Sequence, residues 1–119
     1  MPLKYQILSF SARIREKATL AEIAERVGKA LGCHFAEGWA SHFREGEEVL
    51  VAETLGILLE ISTGLRHDEP KEKISTYFLM GWTHDRLEAK WPIEQTVINI
   101  TPYILQILHT LDSPHWDAQ

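Results

Sequence analysis

Residues 19–32, TLAEIAERVGKALG, restrict the fold of this chain more than any other segment. Thr19 is a favoured helix N-cap, and Glu22 three residues on completes the spacing of a capping box. Leu20, Ile23, Ala24, Val27, Ala30 and Leu31 recur at the i, i+3, i+4 spacing of one apolar face. Glu25 and Lys29 form an i, i+4 pair on the polar side. Gly32 supplies a residue suited to the left-handed conformation that ends many helices. The spacing predicts a helix over Leu20–Leu31, whose apolar stripe needs a surface to lie on.

The flanking sequence reads as sheet. From Leu3 to Arg15 apolar and polar residues alternate, with a slip in phase around Leu8 and Ser9 that a bulge or a bend would absorb. Cys33–Gly38, and a further segment Trp39–Phe43, are short and aromatic-bearing. Arg44–Glu48 is a charged turn, and Val49–Ile61 is rich in Val, Leu and Ile. Gly56 inside that run marks a bulge, a bend or a close backbone approach. Gly64–Lys73 reads as loop, Ile74–Trp82 returns to strand chemistry, and Asp85–Trp91 reads as a short helical turn closed by Pro92. Gln95–Ile100 reads as another strand. Thr101-Pro102 has the form of an N-cap followed by proline, and Tyr103, Ile104, Ile107, Leu108 and Leu111 make the apolar face of a second helix. Ser113-Pro114 stops it, leaving a tail that is either frayed or pinned by Trp116. Strands following one helix and closed by another predict an α+β fold. The expected architecture is a single domain over 1–119, a mostly antiparallel twisted sheet with an N-terminal and a C-terminal helix packed on it.

Composition narrows the function classes. The chain has 119 residues and one Cys, which suits a reducing, cytoplasmic setting and excludes an internal disulfide. No apolar run approaches the roughly 18 residues of a membrane span, and the N-terminus carries no cleavage signature. A formal net charge of −5 disfavours nucleic acid as a partner, because phosphate binding draws on clustered Lys and Arg.

Catalytic chemistry is not assembled in the motifs. Cys33 beside His34 is the sharpest candidate, with His42 and His84 elsewhere. Yet Cys33 follows the C-terminal end of the predicted helix, where the dipole disfavours a thiolate, and a small core thiol is the simpler reading. The histidines at 34, 42, 67, 84, 109 and 115 match no zinc spacing. The glycines match neither a dinucleotide nor a phosphate loop, and no GxSxG elbow occurs. The residues therefore indicate no catalytic centre, no cofactor and no metal.

Surface recognition is better supported. Acidic residues cluster in loop-like segments: Glu45, Glu47 and Glu48, then Asp68, Glu69 and Glu72, then Asp85 and Glu88. Loops on a rigid sheet are where binding residues tend to sit. Trp39, Trp82, Trp91 and Trp116 all lie near glycine, proline or turn sequence. Tryptophan is enriched at binding hot spots, although Trp39 and Trp82 have core packing as their simpler role.

The order of these pieces resembles a known family. SARIREKATLAEIAERVGKALGCHF (11–35), VLVAETLGILLEIS (49–62) and INITPYILQILHTL (98–111) are similar to bacterial immunity proteins of contact-dependent growth inhibition and related polymorphic toxin systems. The resemblance covers about half of the chain. It implies a cytoplasmic α+β protein that binds and neutralises the C-terminal domain of a cognate toxin, commonly a nuclease, with no catalysis of its own. The family carries no fixed binding motif, so the expected contacts rest on charge and loop placement: Trp39, Glu45, Glu47, Glu48, Asp68, Glu69, Glu72, Asp85 and Trp91. In isolation such a chain is expected to be a monomer or weak homodimer. Two other readings stand beside it. One is an adaptor or oligomerisation module using an exposed strand edge. The other is a ligand-binding or enzymatic domain with Cys33, His34, His84 or Tyr77 inside a pocket.

Overall fold

A first strand of fourteen residues organises the molecule. In the computed structural model, which describes residues 3–37, 49–63, 74–83 and 93–119, β1 runs Leu3–Glu16. It is followed by α1 (Leu20–Leu31), β2 (Ala36–Glu37), β3 (Val49–Thr54), β4 (Ile57–Ser62), β5 (Ser75–Thr83), β6 (Ile93–Asn99), α2 (Thr101–Leu111) and β7 (Asp117–Ala118). The strands form one sheet in the order β2-β3-β4-β5-β1-β6, with β7 also on β1. Every pairing is antiparallel except β1 with β6, and the architecture is α+β. Ala12 and Arg13 pair with β5 on one edge and with β7 on the other, so β7 continues the edge that β6 occupies further down.

Of the two ways to absorb its phase slip, a bulge or a bend, β1 does not use the bulge. Its register to β6 is unbroken from Leu3↔Ile93 to Ser9↔Asn99, and to β5 from Ser9↔Trp82 to Glu16↔Ser75. Strict alternation then puts Ile7 and Phe10 on opposite faces. Phe10, Ala12 and Ile14 are buried, as are Tyr77 and Leu79 opposite them on β5 and Leu59 and Ile61 on β4. These side chains pack with Leu20, Ile23, Ala24 and Val27 of α1, Leu108 of α2 and Trp116. Trp82 sits on the opposite face, half buried, and so is not part of that core.

The helix α1 matches its expected bounds, since each of its signals is local. Thr19 accepts from the Glu22 N–H at 3.2 Å while its hydroxyl donates to the Glu22 carboxylate at 3.0 Å. Gly32 closes it at φ 72°. The start of α2 differs from expectation. Thr101 is already helical, and the capping acceptor is the Asn99 side chain, which takes the Thr101 N–H at 2.9 Å. Thr101 Oγ1 is used elsewhere, accepting from Ser11 N–H of β1 at 3.1 Å. The tail is pinned: Trp116 is 1% exposed, and β7 pairs with Ala12 and Arg13.

Val49–Ile61 is two strands, and Gly56 is part of the turn between them. Leu55 and Gly56 take φ of 50° and 76°, the positive pair that two-residue hairpin turns require to match strand twist. Leucine is an unusual occupant, because its Cβ crowds the backbone at positive φ, and its side chain is 98% exposed. Leu55→Asn is therefore expected to raise the unfolding free energy by about 0.5–1 kcal/mol. Urea unfolding of the two proteins checks this, and an unchanged midpoint would show that the turn is not strained.

Candidate functional site

The acid-bearing connections are rooted in the sheet by the strands on either side of them. Val49 pairs with Ser62, Ser62 with Phe78, and Ser75 with Glu16, so these residues mark one end of the sheet. Ile57 pairs with Thr83, and Ile93 with Leu3, at the other end. Segments 38–48 and 64–73 leave and re-enter the described strands at the first end, and 84–92 at the second. The nine residues of β5 separate the two ends by about 27 Å. Trp39, Glu45, Glu47, Glu48, Asp68, Glu69, Glu72, Asp85 and Trp91 all lie outside the described residues. Seven of them belong to connections rooted at one end, whereas Asp85 and Trp91 belong to a connection rooted at the other.

Charge separates the three connections further. In 64–73 Arg66, Lys71 and Lys73 balance Asp68, Glu69 and Glu72, and in 84–92 Arg86 and Lys90 balance Asp85 and Glu88. In 38–48 Arg44 stands alone against Glu45, Glu47 and Glu48. β3 then adds the exposed Glu53, while Glu60 of β4 is buried. By formal count residues 38–63 carry one positive and five negative charges, a net of −4 against −5 for the whole chain.

Cys33 and His34 do share a wall. An open groove of about 660 Å³ lies between α1 and the β2–β3 edge, lined by Ala24, Gly28, Phe35 and Leu50 as well as these two residues. His34 is exposed, Cys33 is half buried, and among the described residues no hydrogen bond joins them. Burial pushes the Cys33 thiol above its ordinary value of 9.0, so at neutral pH it stays protonated and a poor nucleophile. Tyr77 is turned into the core, its hydroxyl donating to the Ala18 carbonyl. His84 lies outside the described residues. Among the described residues no three His, Cys, Asp or Glu side chains converge to hold a metal ion. No described helix is long and apolar enough to cross a membrane.

The strongest electrostatic cluster is elsewhere and ties elements together. Arg26 of α1 grips Asp112, at the end of α2, with Nε–Oδ1 at 2.7 Å and Nη2–Oδ2 at 2.9 Å, and also reaches Glu16 of β1. Trp116 Nε1 donates to Asp112 Oδ2 at 2.7 Å. Hydrogen bonding to Asp112 raises the Arg26 guanidinium further above its already high value, against the opposing effect of burial. Burial alone would push the Asp112 carboxyl up. The hydrogen bonds from Arg26 and Trp116, with the Arg26 charge, outweigh it and hold the group below its ordinary 3.8. The members of this cluster bind one another, so it serves the fold.

No family model matches the sequence, and no similarity to a curated protein or a solved structure was found. Sequence patterns alone had missed two features, the exposed Leu55 turn and the edge of β6 that no described residue pairs with. A Leu-Gly pair between two apolar runs was the available signal for the turn. For the edge, the signal was the absence of Lys, Pro or Gly from IEQTVIN.

Proposed function

We propose that this chain is a cytoplasmic immunity protein that binds the C-terminal domain of a cognate toxin, with residues 38–48 at the centre of the contact. The observation that supports this reading is the concentration of negative charge. Segment 38–48 sets Arg44 against Glu45, Glu47 and Glu48, a net of −2, while the charges of 64–73 and 84–92 balance. Segment 38–48 is rooted between paired strands, Ala36↔Val51 and Glu37↔Leu50. A nuclease toxin has to present positive charge to hold a phosphate backbone. An acidic segment on a rigid sheet would meet that charge, speed encounter and leave the active site without access to substrate. The resemblance of 11–35, 49–62 and 98–111 to immunity proteins points the same way.

Glu45, Glu47 and Glu48 are the primary contacts under this proposal, with Trp39 as anchor. Asp68, Glu69 and Glu72 are rooted at the same end, in a segment whose charges balance. Asp85 and Trp91 are secondary. The test is co-expression with candidate polymorphic-toxin domains, scored by host survival, followed by association kinetics on the pair that rescues. Reversal of all three glutamates (E45K, E47K, E48K) is expected to slow association about tenfold at low salt and to flatten its salt dependence. Reversing Asp85 alone should change the rate far less. Equal on-rates for wild type and the triple reversal would remove 38–48 from the interface. A second reading, an oligomerisation module, is favoured by the edge of β6 that nothing pairs with among the described residues.

A further inference from the structure

β6 closes one side of the sheet. One of its edges is paired with β1 over seven consecutive positions, and among the described residues nothing pairs with the other. Val97 is 64% exposed and Ile98 37%, although they point to opposite faces, so both faces of the strand are open there. Natural edge strands are protected by Lys, Pro, a bulge or brevity. β6 has none of these: the sequence IEQTVIN is seven residues long, with four β-branched residues, an unbroken register and a single charge at Glu94.

We infer that this edge pairs antiparallel with the same edge of a second copy of the chain, extending the sheet across a two-fold axis. Self-pairing suits this strand for a reason of charge. With the axis at Thr96, Gln95 opposes Val97, Ile98 opposes Glu94 and Asn99 opposes Ile93, so no like charges meet. A cationic partner, by contrast, finds only one acid along β6. Seven residues span about 23 Å, and the paired strands with their flanking side chains cover on the order of 1,000 Å² over both copies. That is the lower limit for a specific interface, so the dimer forms reversibly. β6 is five strand spacings from β2, about 24 Å across the sheet, so a dimer leaves the β2–β3 region accessible. The inference does not depend on the immunity reading.

The experiment is sedimentation of the purified full-length chain over a concentration series from about 1 to 500 µM, with amide hydrogen exchange at both extremes. The expected result is a monomer–dimer equilibrium in which the amides of 93–99 gain protection as the protein is concentrated. Val97→Lys should weaken dimerisation at least tenfold while the far-UV spectrum stays unchanged. The exchange measurement on wild type keeps the test decisive if that variant misfolds. A monomer at every concentration overturns the inference, as does a dimer whose β6 amides are no better protected. A β6 that gains protection only on adding a toxin domain assigns the edge to a foreign strand and equally overturns it.

Discussion

Alanine at position 81 is expected to lower the unfolding free energy by about 3 kcal/mol, although it adds one methyl group. Gly81 lies directly opposite Phe10 in the β1–β5 pairing, and a Cβ there would stand 2.2 Å from Cε1 and 2.5 Å from Cζ of the Phe10 ring. Phe10 is 4% exposed, with its ring laid across the bare glycine backbone. Neither partner can yield cheaply, because one is strand backbone and the other is held by the core. Urea unfolding reads the effect directly. Phe10→Leu alone costs roughly 1 kcal/mol for the atoms removed. In the Gly81→Ala background the same change should recover part of the loss, so the two effects will not add. A Gly81→Ala midpoint within error of wild type would show that the ring is free to move aside.

Asp112→Ala is expected to cost a similar amount, about 3 kcal/mol, by stranding its partners. The Asp112 side chain is 6% exposed and accepts from Arg26 Nε, Arg26 Nη2 and the indole of the fully buried Trp116. Removal leaves a half-buried guanidinium with Glu16 alone and an indole N–H with no acceptor. The pH dependence follows from the lowered carboxyl. A group whose folded value lies below its unfolded one contributes stability above the unfolded value, here about 3.8. That contribution fades as pH falls from there through the folded value. Wild type should therefore lose stability more steeply than Asp112→Asn on acidification below about pH 4. Parallel acid limbs for the two proteins would show that the ion pair adds nothing. Detachment of the tail should also appear as a shift in Trp116 fluorescence.

Helix α1 was legible in the sequence because everything that makes it is local: a cap at Thr19, an apolar stripe and Gly32. The strands were legible as alternation, but their partners were not. Nothing within Leu3–Glu16 states that its first half pairs with residues 93–99 and its second half with 75–82. The hairpin in Val49–Ile61 was obscured by leucine at a position that usually holds Asn, Asp or Gly. The α2 cap was misassigned because Thr101 looks like a cap in sequence, while its hydroxyl is claimed by Ser11 from ninety residues away. As for the site, the acidic segments were visible as composition. That 38–48 and 64–73 are rooted at one end of the sheet, with 84–92 at the other, is a property of register, which sequence does not display. The groove at Cys33 and His34 shows the converse: residues adjacent in sequence share a wall, yet no thiolate–imidazole pair results.

The position of β1 has a consequence for how the protein is made. β1 leaves the ribosome before every one of its partners. Its antiparallel neighbour begins at Ser75, its parallel neighbour at Ile93, and Ala12 is matched by Ala118, more than a hundred residues further along. During translation α1 and the β3–β4 hairpin can form from nearby residues, but the centre of the sheet cannot close until residues 75–99 have been made. A nascent chain stalled after residue 92 would expose β1 along one entire edge, and truncation before β6 should yield a species held by chaperones.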